Sequence, residues 1–183
     1  MNNTFNSRRF GWLFRKTILE RPTQMIGLTA LSFLITFLLY GIIKLLVGYE
    51  DAQNFSFLTG LIGGGCFLAS ITFGHFNTNA SGSSFLTLPA SMFEKWLCGI
   101  LITGFLYPAL FLVFFRLMDL GFVAVYHNSL DPNAPYFQEK YDMVRIFAFN
   151  EFIADKTFII YFNFAGIMLL GSLYFNKAAF IKV

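Results

Sequence analysis

Four stretches of this chain are each about as long as a helix that crosses a bilayer, and they are almost free of charge. Met25 to Val47 carries one charge, Lys44, near its end; Phe55 to Phe73, Trp96 to Phe115 and Thr157 to Asn176 carry none. A hydrocarbon core of about 30 Å needs on the order of 20 apolar residues in helix, because lipid offers no partner to an unpaired backbone group. The pattern predicts an all-α, polytopic membrane helix bundle, a single domain over 1–183 with transmembrane helices at 25–47, 55–75, 96–115 and 157–176.

Composition agrees. Hydrophobic residues make up 56% of the chain and charged residues 13%, about half the charged share of a soluble domain. The 26 phenylalanines exceed what the interior of so small a globule could hide, whereas lipid-facing helices display them without penalty. The first apolar run starts at Met25 and no small-residue cleavage site follows it, so no removable signal peptide is expected.

The net charge of +3 belongs to basic residues beside the apolar stretches, which reads as topology and not as a nucleic-acid footprint. With the N-terminus inside, Arg8, Arg9, Arg15, Lys16, Arg21, Lys95, Lys177 and Lys182 are cytoplasmic. Lys44, Arg116, Lys140, Arg145 and Lys156 are then outside or at the outer edge. Eight against five favours that orientation, and both termini are expected in the cytoplasm.

Between the spans, local patterns predict further elements. Ser7 to Glu20 sets Phe10, Leu13, Phe14 and Ile18 at helical spacing among Arg8, Arg9, Arg15 and Lys16, with Trp12 suited to the headgroup layer. This predicts an amphipathic interfacial helix within 1–22, ended by Pro22. The cytoplasmic loop over 76–95 contains the polar run NTNASGSS, and a helix start is expected at Ser91, whose capping box is completed by Glu94, so the loop is expected to carry a short coupling-like helix at the membrane surface. The outer segment over 116–156 contains the turn-forming SLDPNAP. Beyond it, Tyr141, Val144, Ala148 and Phe152 recur at helical spacing and predict an extracytoplasmic amphipathic helix. Gly60 and Gly64 form a GxxxG pair suited to close helix packing. Pro108 is expected to bend the third span.

Signs of chemistry are few. His75 and His127 stand outside any HExxH or other catalytic pattern and read as structural residues, Arg116 and Asp119 look like a local ion pair, and Cys66 and Cys98 read as small core residues. No metal site is indicated. The glycine run lacks the lysine of a phosphate-binding loop, so ATP would have to be bound by a partner subunit, and the chain itself requires no cofactor. Mid-membrane acidic residues of the kind that bind ions in coupled carriers are missing from the spans.

At the inner loop, SSFLTLPASMFEKWL (Ser83 to Leu97) resembles the permease subunits of the second exporter type of the bacterial ATP-binding-cassette class. Leu88, Pro89, Ala90 and Ser91 followed by Glu94 and Lys95 carry the likeness. The resemblance spans the surface helix, the first three spans and the loop. It implies a bacterial inner-membrane location, a separate ATPase partner, homo- or hetero-oligomers, and a coupling role for Pro89, Ser91, Glu94 and Lys95. The family normally has six spans where this chain has four, which leaves open a shortened relative or part of a longer product. The function expected is a non-enzymatic, permease-like exporter subunit. The alternative is a structural or accessory subunit of a larger envelope complex, and a lipid-directed enzyme using His75 or His127 is a distant third.

Overall fold

In the computed structural model the described residues are 5–20, 22–74, 79–132, 136–149 and 152–174, and every regular element among them is helical. In chain order these are α1 (Ser7–Glu20), α2 (Pro22–Leu46), α3 (Tyr49–Thr72), α4 (Asn79–Leu86), α5 (Met92–Asn128), α6 (Phe137–Met143) and α7 (Phe152–Tyr174). Four of them, α2, α3, α5 and α7, are long and apolar enough to cross a membrane. Gly48 alone separates α3 from the end of the α2 turn, at φ 148, a left-handed conformation that a side chain would strain.

α3 is the central helix, packed against α2, α5 and α7. Its most apolar window is 56% buried against 11% for α2, so α2 is the helix most exposed on the outside of the bundle. The phenylalanines divide between the two surfaces: Phe57, Phe111 and Phe115 are fully enclosed, while Phe37, Phe105, Phe162 and Phe164 are exposed. Display to lipid therefore accounts for only part of the phenylalanine content. Cys66 and Cys98 are free thiols within the core.

Two of the long helices contain a π turn. In α5 it covers Ile102–Leu106, immediately before Pro108. Proline has no N–H and its ring excludes the carbonyl four residues earlier, here Gly104, so the wider turn lets the helix pass the proline and run on to Asn128. The structure thus extends the third helix 13 residues beyond the expected end of its span at Phe115. In α3 the π turn covers Gly60–Gly64. A π turn leaves carbonyls without ordinary partners, and here tyrosine hydroxyls supply them: Tyr107 donates to the Gly60 carbonyl at 2.8 Å and Tyr161 donates to the Thr103 carbonyl. Tyr161→Phe, which orphans the second carbonyl in an apolar interior, is expected to lower stability by about 1–3 kcal/mol, measured as thermal unfolding in detergent.

Two connecting segments differ from the expectation. The inner loop does carry a short helix, but it is Asn79–Leu86, overlapping the polar run, whereas the Ser91 cap opens α5 itself. In the outer segment, Ser129 to Pro132 turns, but helix persists only over Phe137–Met143, and 145–148 are without regular structure. Val144 and Phe147 are buried there. Helical spacing mispredicted this region because its backbone finds side-chain partners instead of helical ones, as described below. Asn133 to Pro135 lie outside the described residues.

Candidate functional site

The inner-loop residues gather around one carboxylate. Ser91 takes extended backbone angles and caps α5: its hydroxyl accepts from the Glu94 N–H at 3.2 Å, and the Ser91 N–H donates to Glu94 Oε2 at 2.9 Å. Glu94 is completely buried. Its carboxylate also accepts from Arg9, with Nε 2.8 Å from Oε2 and Nη2 2.8 Å from Oε1, and from the Asn6 N–H at 2.8 Å. Asn6 in turn caps α1, its Oδ1 accepting from the Arg8 N–H at 3.0 Å. Two helix N-termini therefore converge on a single negative charge, where both helix dipoles favour it. The hydrogen-bonded carboxylate holds the Arg9 guanidinium above its ordinary value.

Lys95, next along α5, is 4% exposed. Its Nζ donates to the Leu86 carbonyl at 2.9 Å and lies 5.4 Å from the Phe85 ring centroid. A cation at the last carbonyl of α4 complements the negative end of that helix. Leu88 and Ala90 pack against the core, and Pro89 projects to the outside between them. The loop is in this way anchored on both sides of Pro89, while Leu86, Met92, Phe93 and Trp96 remain 46–65% exposed around it.

α1 is fixed to the same end of the bundle. Leu13 and Thr17 are buried, Phe10, Phe14 and Ile18 pack against the core, and the Cys98 thiol lies 3.7 Å from the Thr17 hydroxyl. The apolar stripe expected to face lipid is used against protein, and Trp12 is left 72% exposed on the other side. Glu94→Ala leaves the Arg9 guanidinium and two backbone N–H groups without their acceptor. It is expected to release α1, raising trypsin cleavage at Arg8, Arg9 and Arg15 at least tenfold over the native chain, whereas Arg8→Gln leaves cleavage at Arg15 at the native rate.

In the middle of the bundle, Gly60 and Gly64 lie against α2 and α5. A Cβ on Gly60 would come 2.5 Å from Thr36 Oγ1 and 2.7 Å from the Phe111 ring, and one on Gly64 would overlap the Tyr107 hydroxyl and lie 2.8 Å from Ser32 Cβ. Gly65 and Gly99 meet the rings of Tyr161 and Phe73 as closely. The spacing pattern did not mark these two.

At the opposite end stands a second buried carboxylate, Asp119 on α5. Its Oδ1 accepts from the Tyr40 hydroxyl at 2.8 Å and from Gln53 Nε2 at 2.8 Å, and its Oδ2 accepts from the Phe147 N–H at 2.7 Å. Arg116 does not form the expected pair with Asp119. Its Nη1 donates to the Phe147 carbonyl at 2.8 Å, and the guanidinium lies 4.9 Å from the Phe149 ring centroid. The two side chains clamp the two backbone groups of one residue. Gln53 also donates to the Arg145 carbonyl at 2.8 Å, and His127 Nε2 lies 3.0 Å from the Val144 carbonyl and 3.2 Å from that of Tyr141. A ring nitrogen facing two acceptors must carry the proton, so His127 is a clamp of the outer segment. Nothing in the local sequence foretold these contacts. His75 lies outside the described residues. Among the described residues no three His, Cys, Asp or Glu side chains gather as metal ligands.

The fold and these joints define an all-helical, membrane-embedded bundle with a polar fastening at each end. Comparison with family models, with curated proteins and with solved structures gives no match to the chain.

Proposed function

We propose that this chain is the membrane-spanning, permease-like subunit of an ATP-binding-cassette exporter in a bacterial inner membrane, working with a separate ATPase. One observation carries the reading: the loop around Pro89 is joined through Glu94 to both α1 and the N-terminus of α5. α5 spans 37 residues, about 55 Å of helix. A partner pressing on Pro89 and the apolar side chains beside it would move α1 and α5 together, the mechanical property a coupling loop needs. The excess of Lys and Arg at this end supports a cytoplasmic placement, where an ATPase would be available. α1 would then run along the inner membrane surface.

The packing of the interior favours a second reading, a non-transporting accessory subunit of an envelope complex. Tyr40, Tyr107, Tyr161, Phe57, Phe111 and Phe115, all at most 1% exposed, fill the space between the helices. An interior filled in this way leaves little room for a substrate path within the chain, as a non-transporting subunit would have it.

Affinity purification of the tagged full chain from gently solubilised native membranes separates the two readings. Recovery of a nucleotide-hydrolysing subunit, reduced at least tenfold by Phe93→Asp, supports the permease reading. Recovery of other envelope proteins without any such subunit sinks it and selects the accessory one.

A further inference from the structure

The outward side of α1 carries a second pattern that the packing of the bundle does not use. At 100° per residue, Arg8, Trp12, Arg15, Lys16 and Leu19 share one side of the helix, opposite Leu13 and Thr17. All five are exposed, Trp12 at 72% and Leu19 at 56%. Among the described residues no carboxylate pairs with Arg8, Arg15 or Lys16. At this end of the bundle the acidic residues are Glu20 and Glu94, and Glu94 is occupied by Arg9.

Beside this face an apolar groove of about 300 Å³ opens on the outside of the bundle. It starts at Ile18, one helical turn beyond Arg15, and runs between Ile26, Thr29 and Phe33 of α2 and Leu106 and Leu110 of α5. The Thr29 hydroxyl donates back to the Met25 carbonyl at 2.7 Å, so that its polar atom is spent on its own helix. Ile26, Leu106 and Leu110 are 56%, 36% and 47% exposed, which leaves the groove open sideways to a surrounding bilayer.

We propose that the junction of α1 and α2 is a binding site for one acidic phospholipid, with the phosphate headgroup held by Arg15 and supported by Arg8 and Lys16, and an acyl chain lying in the groove. A cluster of cations next to an apolar slot complements the two halves of such a molecule. Trp12 and Leu19 between the cations suit the depth where headgroup meets chain. A second copy of the chain is a poorer occupant, since the only acidic side chain it could offer to three cations at this end is Glu20. The site depends on the chain being in a membrane and not on an ATPase partner, so it stands or falls separately from the transport reading.

The test uses the full chain, delipidated in a neutral detergent and titrated with phosphatidylglycerol or phosphatidylcholine of matched chain length, with retention read by native mass spectrometry. Phosphatidylglycerol is expected to be retained about tenfold more tightly, and the R8Q/R15Q/K16Q variant to bind both lipids equally. Ile26→Trp, which obstructs the groove at an exposed position, is expected to weaken both lipids at least fivefold. Equal retention of the two lipids by the native chain, or a preference that survives in the triple variant, overturns the headgroup site. Unchanged retention in Ile26→Trp overturns the groove as the acyl site. Displacement of phosphatidylglycerol by an equal concentration of inorganic phosphate would assign the cations to a free anion and overturn the lipid.

Discussion

Asp119→Ala is expected to destabilise the bundle by about 3–5 kcal/mol. The carboxylate holds three donors, the Tyr40 hydroxyl, Gln53 Nε2 and the Phe147 N–H, and each lies within the protein. An unsatisfied buried donor costs about 1–3 kcal/mol, with part of the sum recovered where water or a rotamer change can reach it. The loss has a location as well as a size, because Asp119 joins α2, α3, α5 and the segment after α6. Phe147 and Phe149, which pack against Phe57 at 4.9 and 5.8 Å between ring centroids, are expected to come free. Asp119→Asn separates the contributions. Its amide oxygen still accepts from Tyr40 and Gln53, while its NH2 faces the Phe147 N–H, so the outer segment loosens with a smaller global loss. Thermal unfolding in detergent measures the first effect, and maleimide labelling of a cysteine placed at Phe149 measures the second. A melting temperature for Asp119→Ala equal to that of the native chain would remove the carboxylate from its central role.

The second large effect contrasts two neighbouring glycines. Gly64→Ala places a methyl group on the Tyr107 hydroxyl, and that hydroxyl cannot swing aside without giving up its bond to the Gly60 carbonyl. Overpacking together with a lost interior hydrogen bond is expected to cost about 2–4 kcal/mol. At Gly63 a Cβ meets nothing within 4 Å. Gly63→Ala is therefore expected to be neutral or to gain up to about 1 kcal/mol from helix propensity. The two variants have the same composition and differ only in which side of α3 carries the methyl group. Equal melting temperatures would show that α3 does not hold its registry against α2 and α5 in the way described.

The parts of this protein legible in the sequence are those encoded within one helical turn or one apolar run. Ser91 and Glu94 are three residues apart, and their capping box could be read directly because both partners lie on the same turn. Gly60 and Gly64 were visible through spacing alone. Pro108 reads in the sequence as a bend; what the structure has there is a π turn before the proline, with helix continuing to Asn128. Arg116 and Asp119 show the opposite case. Their i, i+3 spacing suggested a pair, but each found a stronger use on the Phe147 backbone, whose buried N–H and C=O had no other acceptor or donor.

Membrane insertion and the number of long helices were determined by the sequence itself, since the length and charge-free character of an apolar run decide whether lipid or water is the better solvent. The two fastenings were decided only by the tertiary structure. Arg9 reaches Glu94 across 85 residues and Tyr40 reaches Asp119 across 79. A carboxylate's choice of donors depends on which of them the packed helices bring within 3 Å in a dry interior, and that distance is not written in any local pattern.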